Sequence, residues 1–162
     1  SICYYERMDF KEVSKYLKTF KGAKRRFSET VIGDNILIDD YAHHPNEVKA
    51  TIKATKQKYP DKEIVAVFQP HTFSRTKEFA KDLATVLSSV NKAYVMNIHP
   101  AREKQEDYPE VTSNLILKEM KNGFLLANDD IKPFENLKNT VILVMSPNDL
   151  SKLENEIIDL YQ

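Results

Sequence analysis

Residues 36–47 read ILIDDYAHHPNE, an apolar run that stops at Asp39 and Asp40 and continues at once into His43, His44 and Pro45. Carboxylates and imidazoles in such a cluster can exchange protons near neutral pH, bind a cation, or cap a helix. A second cluster, Gln69-Pro70-His71-Thr72-Phe73-Ser74-Arg75-Thr76, follows the apolar run IVAVF. His71 adds another imidazole. Arg75 adds a guanidinium, whose planar fork suits a carboxylate or a phosphate. His99-Pro100-Ala101-Arg102-Glu103-Lys104 follows YVMNI, and Ser146-Pro147-Asn148-Asp149 follows VILVM. All four histidines of the chain fall in these stretches. Upstream, Lys21-Gly22-Ala23-Lys24-Arg25-Arg26-Phe27 is basic enough to hold one phosphate; its plainer reading is a surface loop.

The clusters gain meaning from the elements that carry them. Asp9 suits an N-cap, apolar residues follow at helical spacing from Phe10 to Phe20, and Gly22 stops the helix. FSETVI and ILID, joined by Gly33-Asp34-Asn35, read as a hairpin over Arg26 to Asp40. Pro45 suits the first turn of a helix that runs to Pro60. Thereafter EIVAVF, KAYVMNI, GFLLA and NTVILVM read as strands. Helices are predicted around Phe79–Leu87, over Val111–Met120, and from Leu150 to Tyr161. Strands apolar throughout, alternating with helices, define an α/β domain with a mostly parallel sheet covered on both faces and an antiparallel edge hairpin. In a parallel sheet the four polar clusters share one rim, where ligands of open α/β sheets bind and helix N-termini point.

The composition narrows the function. The chain has 162 residues with 24 Lys plus Arg against 24 Asp plus Glu, so its formal net charge is zero. That argues against bulk attraction to nucleic acid or to an anionic membrane. No apolar run approaches a membrane span and no signal peptide is visible at the start. The single cysteine, Cys3, cannot form an internal disulfide, which suits the cytoplasm. The opening at Ser1, without a clear cap or turn, suggests a piece cut from a longer protein. With three glycines, neither glycine-rich phosphate-binding motif fits.

Each candidate also has a plain structural reading. Asp39 or Asp40 can cap a helix, and His43 or His44 can bond a carbonyl. Thr72 and Ser74 are N-cap candidates. Arg75 and Lys77 read plainly as a solvated helix start, but cations in a first helical turn oppose the helix dipole, and an arginine there is better explained if it faces an anion. His99 and Arg102-Glu103-Lys104 read first as a solvated charged loop. Asp39, Asp40, His43, His44 and His71 are ligand types for zinc, iron or manganese, so a metal-dependent hydrolase is a rival. The spacings of the common metal motifs are absent, and no metal ligand is assigned.

Three stretches carry a family resemblance. KGAKRRFSE, DDYAHHPNE and FQPHTFSRT resemble, in order and spacing, motifs of the C-terminal domain of the Mur ligases, and the strand–helix pattern continues to the chain's end. The resemblance implies a Rossmann-like three-layer domain over residues 23–162. Residues 1–22 would form a lead-in helix and linker from a preceding ATPase domain. It also implies ATP-dependent joining of L-alanine to the lactyl carboxylate of UDP-N-acetylmuramate, through an acyl phosphate, in peptidoglycan synthesis in the cytoplasm. ATP and Mg2+ would be held mainly by the central domain. The substrates and the other two domains of the parent chain would be the partners, and this domain alone would be inactive. A ligase of the same family that recycles a tripeptide is the nearer rival. By the resemblance, Arg26 reaches the ATP phosphates and Asp40 faces the nucleotide. Tyr41, His43, His71 and Arg75 surround the incoming alanine and the reacting centre, with His44 and Asp39 as weaker candidates. Ala42 replaces a frequent glycine and Thr72 a frequent arginine. Ser146-Pro147-Asn148-Asp149 replaces a glycine-rich turn, and Pro147 removes a backbone donor there.

Overall fold

The structure is a computed structural model that describes residues 9–19, 24–127 and 130–162. Helix α1 (Phe10–Thr19) starts behind Asp9, whose carboxylate accepts the Lys11 N–H at 2.9 Å. Cys3, the Gly22 helix stop, and Lys21 of the basic stretch lie outside the described residues. Strands β1 (Ser28–Ile32) and β2 (Asn35–Asp40) form the expected antiparallel hairpin, with Ser28 opposite Asp39 and Ile32 opposite Asn35. Gly33 turns it with φ of 57°, a conformation that glycine adopts without strain.

Helix α2 (Pro45–Lys58) leads to β3 (Glu63–Phe68), α3 (Phe73–Leu87) and β4 (Lys92–Met96). Then come a short helix α4 (Asn114–Leu117), β5 (Gly123–Leu126), β6 (Thr140–Met145) and α5 (Ser151–Asp159). The sheet order is β1-β2-β6-β3-β4-β5, parallel from β2 onward. The chain therefore winds outward from β3 to β5 and returns through β6 to the centre, between β2 and β3. The helix expected over Val111–Met120 is confined to Asn114–Leu117, with turns on either side.

Every residue of β6 is buried. Val141, Leu143 and Met145 face one layer with Val48 and Ile52 of α2, Leu83 and Leu87 of α3, and Ile116 of α4. Ile142 and Val144 face the other, with Leu153 and Ile157 of α5 and Phe134. This two-sided burial is why the central strands carry no polar alternation. It also fixes the strand register, and with it the position of every strand end. No helix among the described residues is long and apolar enough to cross a membrane.

Candidate functional site at the strand-end rim

Asp40 of β2 and Phe68 of β3 are both paired with Met145 of β6, so these strands end in one row. β4 extends the row, and an isolated bridge pairs His71 with His99 beyond it. The expected rim is therefore present. His43 and His71 rings meet at 6.0 Å between centroids, and His71 stacks on His99 at 5.7 Å with an interplanar angle of 10°.

Asp40 is buried and committed to three donors. Oδ1 accepts from Ala42 N and Thr51 Oγ1, both at 3.0 Å, and Oδ2 accepts from Phe27 N at 2.8 Å. One carboxylate thus ties the basic stretch, the rim loop and α2 together. Beside it, the Arg26 guanidinium lies 5.3 Å from the centre of the exposed Tyr41 ring, and Arg25 lies 5.6 Å from the same ring. His44 is an N-cap: Nδ1 accepts the Asn46 N–H at 3.3 Å, while Glu47 accepts the backbone N–H groups of His43 and His44 at 3.1 Å each. The His44 ring also packs on Phe79. His43 Nδ1 lies 3.1 Å from the Tyr41 carbonyl oxygen and 3.4 Å from Glu47 Oε2.

His71 lines a narrow cleft with His43, His44, Arg75 and Phe79. Its Nδ1 is buried with no hydrogen-bond partner among the described residues. Partial burial lowers its proton affinity, and the charges of His43, His99 and Arg75 lower it further against the opposing pull of Glu103, so the ring is neutral at pH 7. Arg75 is exposed in the first turn of α3. Neither Thr72 nor Ser74 caps that helix through its side chain. The cap is Glu103, from the loop read in sequence as a solvated charge run. Its Oε2 accepts from Phe73 N at 2.6 Å and Ser74 N at 2.9 Å, and Oε1 from Ser74 Oγ at 2.5 Å. Desolvation of Glu103 is outweighed by these bonds and by the His71 charge, so its pKa is lowered. Glu103 thus supplies the negative charge that the α3 N-terminus lacks in its own first turn, through the Phe73 and Ser74 N–H groups.

Arg25, not singled out in sequence, organises the turn after β6. Its guanidinium donates to Asp39 Oδ2 at 3.3 Å, to the carbonyls of Ser146 at 2.6 Å and Pro147 at 3.3 Å, and to that of Asn148. Asp39 Oδ1 and Glu154 Oε1 are buried without a hydrogen-bond partner among the described residues. Burial raises the pKa of Glu154 to about 7, helped by the Asp39 and Asp149 charges and opposed by Arg25. Burial likewise raises Asp39 against the pull of Arg25. A tertiary partner far along the chain, such as Glu103 for α3 or Ser146 for Arg25, leaves no local sequence signal. The one cue for Glu103 was the missing acid at the α3 start.

Among the described residues no group of three or more His, Cys, Asp or Glu side chains is placed to hold a metal ion. A larger cavity, about 660 Å3, lies between α3 and the segment around α4, lined by Lys77, Lys81, Tyr108 and Lys118 among others and by none of the rim histidines.

A parallel sheet covered by helices on both faces, whose strand ends gather imidazoles, guanidinia and an exposed aromatic ring, defines an α/β domain of the doubly wound class. Residues 25–150 match the family profile of the Mur ligase, glutamate ligase domain, and the chain belongs to that family. It is 46% identical over 156 residues to the UDP-N-acetylmuramate–L-alanine ligase of Lactobacillus acidophilus, covering 96% of this chain and 35% of that protein. The corresponding ligase of Lactobacillus helveticus is 45% identical over the same shares. The chain thus spans about a third of the length of the curated relatives it matches. The fold is also that of the UDP-N-acetylmuramate–alanine ligase of Thermotoga maritima, with a TM-score of 0.78 at 21% identity over 99% of this chain and 35% of that one. A murein peptide ligase of Psychrobacter arcticus shares it at 0.70 and 20% identity, over 91% of this chain and 32% of that one.

Proposed function

We propose that this chain is the amino-acid-side domain of an ATP-dependent ligase that joins L-alanine to UDP-N-acetylmuramate in the cytoplasm. Residues 1–22 form the lead-in from a preceding ATPase domain and residues 23–162 the C-terminal domain. The observation that carries the reading is the His71 ring: neutral, with one buried nitrogen unpartnered, in a cleft it shares with Arg75. An amino acid presents a carboxylate and an ammonium a few ångströms apart. Arg75 supplies a forked donor for the first. A neutral imidazole can accept a hydrogen bond, and then a proton, from the second, freeing the amine to attack. His43 supports that ring from the adjacent loop. Identity to the Lactobacillus ligases over nearly the whole chain supports L-alanine as the amino acid.

ATP, held mainly by the central domain with Mg2+, supplies the phosphoryl group that activates the lactyl carboxylate. Arg26 beside the exposed Tyr41 ring fits a nucleotide's phosphates and base at the domain boundary. Asp40 acts through the loop it braces: its three hydrogen bonds set Tyr41 and His43 against Phe27 and α2. Closure of this domain over the nucleotide would shield the acyl phosphate from water, and the domain by itself would be inactive.

Steady-state kinetics of the full-length ligase test the assignment. Arg75→Ala should raise KM for L-alanine at least tenfold, about 1.4 kcal/mol, with KM for UDP-N-acetylmuramate little changed. His71→Ala should lower kcat by roughly 10²-fold or more. Loss of UDP-N-acetylmuramate affinity in both variants, with KM for L-alanine unchanged, would move the amino-acid site away from this rim.

A further inference from the structure

The segment from Pro70 to Arg75 carries the proposed contacts of His71 and Arg75 with the amino acid, and its turn is held from one side by the loop after β4. Thr72 has φ of 64° and ψ of 147°, a strained region that glycine nearly monopolises. The helix behind it has no acidic residue in its first turn and no side-chain cap of its own. Such strain persists only where the surroundings over-determine the backbone. Here the surroundings are His99 and Glu103. His99 N donates to Pro70 O at 2.9 Å, and Thr72 N donates to His99 O at 2.8 Å, so the strand pairing continues past the ends of β3 and β4. A tight turn, closed by Glu103 N on Pro100 O at 2.9 Å, then delivers the Glu103 carboxylate to Phe73 N, Ser74 N and Ser74 Oγ.

We propose that Glu103 is a positioning residue of this site: by capping α3 across the rim it holds the strained turn and so sets the His71 ring and the Arg75 guanidinium for the amino acid. The proposal rests on the ligase reading above. The α3 N-terminus already holds an internal carboxylate, so an incoming amino-acid carboxylate must be anchored by Arg75 and not by the helix end. The groups facing His71 are His43 from the β2–α2 loop, His99 and Glu103 from the β4 loop, and Arg75 from α3. Glu103 is the one whose charge favours imidazolium, so removing that charge lowers the proton affinity of His71 further.

The test uses the full-length protein and Glu103→Gln, which keeps a carbonyl acceptor at the cap but removes the charge. KM for L-alanine should rise about tenfold with KM for UDP-N-acetylmuramate within about twofold. The His71 titration, followed by NMR of labelled histidine and assigned with His71→Asn, should move to lower pH by roughly half a unit. A folded Glu103→Gln protein with both quantities unchanged overturns the proposal and leaves Glu103 as a cap alone. Should that variant fail to fold, Ser74→Ala decides, because it removes one Glu103 bond and no charge: a rise in KM for L-alanine supports the proposal, and an unchanged value overturns it. The titration does not depend on turnover. Wild-type protein without L-alanine-dependent activity would sink the ligase reading, while the His71 shift would still report the Glu103 link.

Discussion

Asp40→Asn perturbs the rim at the residue that joins most of its parts. Oδ1 of Asp40 accepts from Ala42 N and Thr51 Oγ1, and Oδ2 from Phe27 N. An asparagine with its oxygen at the Oδ1 position keeps the first two bonds, now neutral, and aims its amide at the Phe27 N–H. The opposite orientation keeps Phe27 and aims the amide at Ala42 N. In either case donor faces donor and a backbone N–H at a largely buried position loses its partner. A hydrogen bond to a charged acceptor is worth about 1.5–3 kcal/mol and an orphaned buried donor costs about 1–3 kcal/mol, so Asp40→Asn should cost roughly 3 kcal/mol. Asp40→Ala orphans all three donors and should consume a large share of the about 5–15 kcal/mol that stabilises an ordinary domain. Urea unfolding of the 162-residue chain, followed by far-UV circular dichroism and by the emission of its eight tyrosines in the absence of tryptophan, gives the difference directly. A double-mutant cycle with Thr51→Val should show coupling of about 1 kcal/mol, since Thr51 Oγ1 and Oδ1 are in direct contact. Asp40→Asn within about 0.5 kcal/mol of wild type, with no coupling, would refute the bracing role, because that is the ordinary range of surface changes.

Glu154→Gln should flatten the pH dependence of stability. A carboxyl raised from its ordinary value of 4.5 to about 7 binds a proton that the unfolded chain releases, so the native state is favoured below about 4.5 and loses stability as pH rises towards 7. Allowing for the partial exposure of Glu154, the variant should gain about 1–2 kcal/mol at pH 8 over wild type, read by melting at pH 5 and pH 8; equal slopes would exclude the effect. Arg25→Lys should cost about 2 kcal/mol, because an ammonium cannot reproduce the fork that holds Asp39 and the carbonyls of Ser146, Pro147 and Asn148. A melting temperature within a degree of wild type would count against that clamp. Thr72→Gly should relieve a strain of order 1–3 kcal/mol while giving back about 0.5–1 kcal/mol in the unfolded chain, a net gain with a higher KM for L-alanine; a clear loss of stability would show that the turn is not strained.

The sheet was legible because β3 and β6 are buried on both faces and so apolar at nearly every position, a pattern that needs no partner to be read. Pro45 marked the start of α2, and Gly33 the hairpin turn. The rim followed from strand direction alone, and the four histidine positions were visible before any coordinate. What escaped was tertiary. Val111 to Met120 has helical spacing, but only Asn114–Leu117 is helix, and the buried Ser113 before it donates its Oγ to the Met96 carbonyl at 2.6 Å instead. In the basic stretch Arg25 carried no sequence signal of its own, yet its guanidinium has four partners. His44 turned out to serve α2 as a cap, and Glu103 serves α3 from thirty residues away. Caps supplied across a rim depend on which loops the sheet order brings together, and no local pattern encodes that.

The central claim is that this rim is the amino-acid side of a ligase. Phosphate release by the full-length protein, with magnesium ATP and UDP-N-acetylmuramate, measured with and without L-alanine, tests it most directly, with the recycled tripeptide run in parallel. Release that requires L-alanine, and that falls with Arg75→Ala or His71→Ala, is the expected result. Release that requires the tripeptide, or none from a folded protein with either amine, would contradict it.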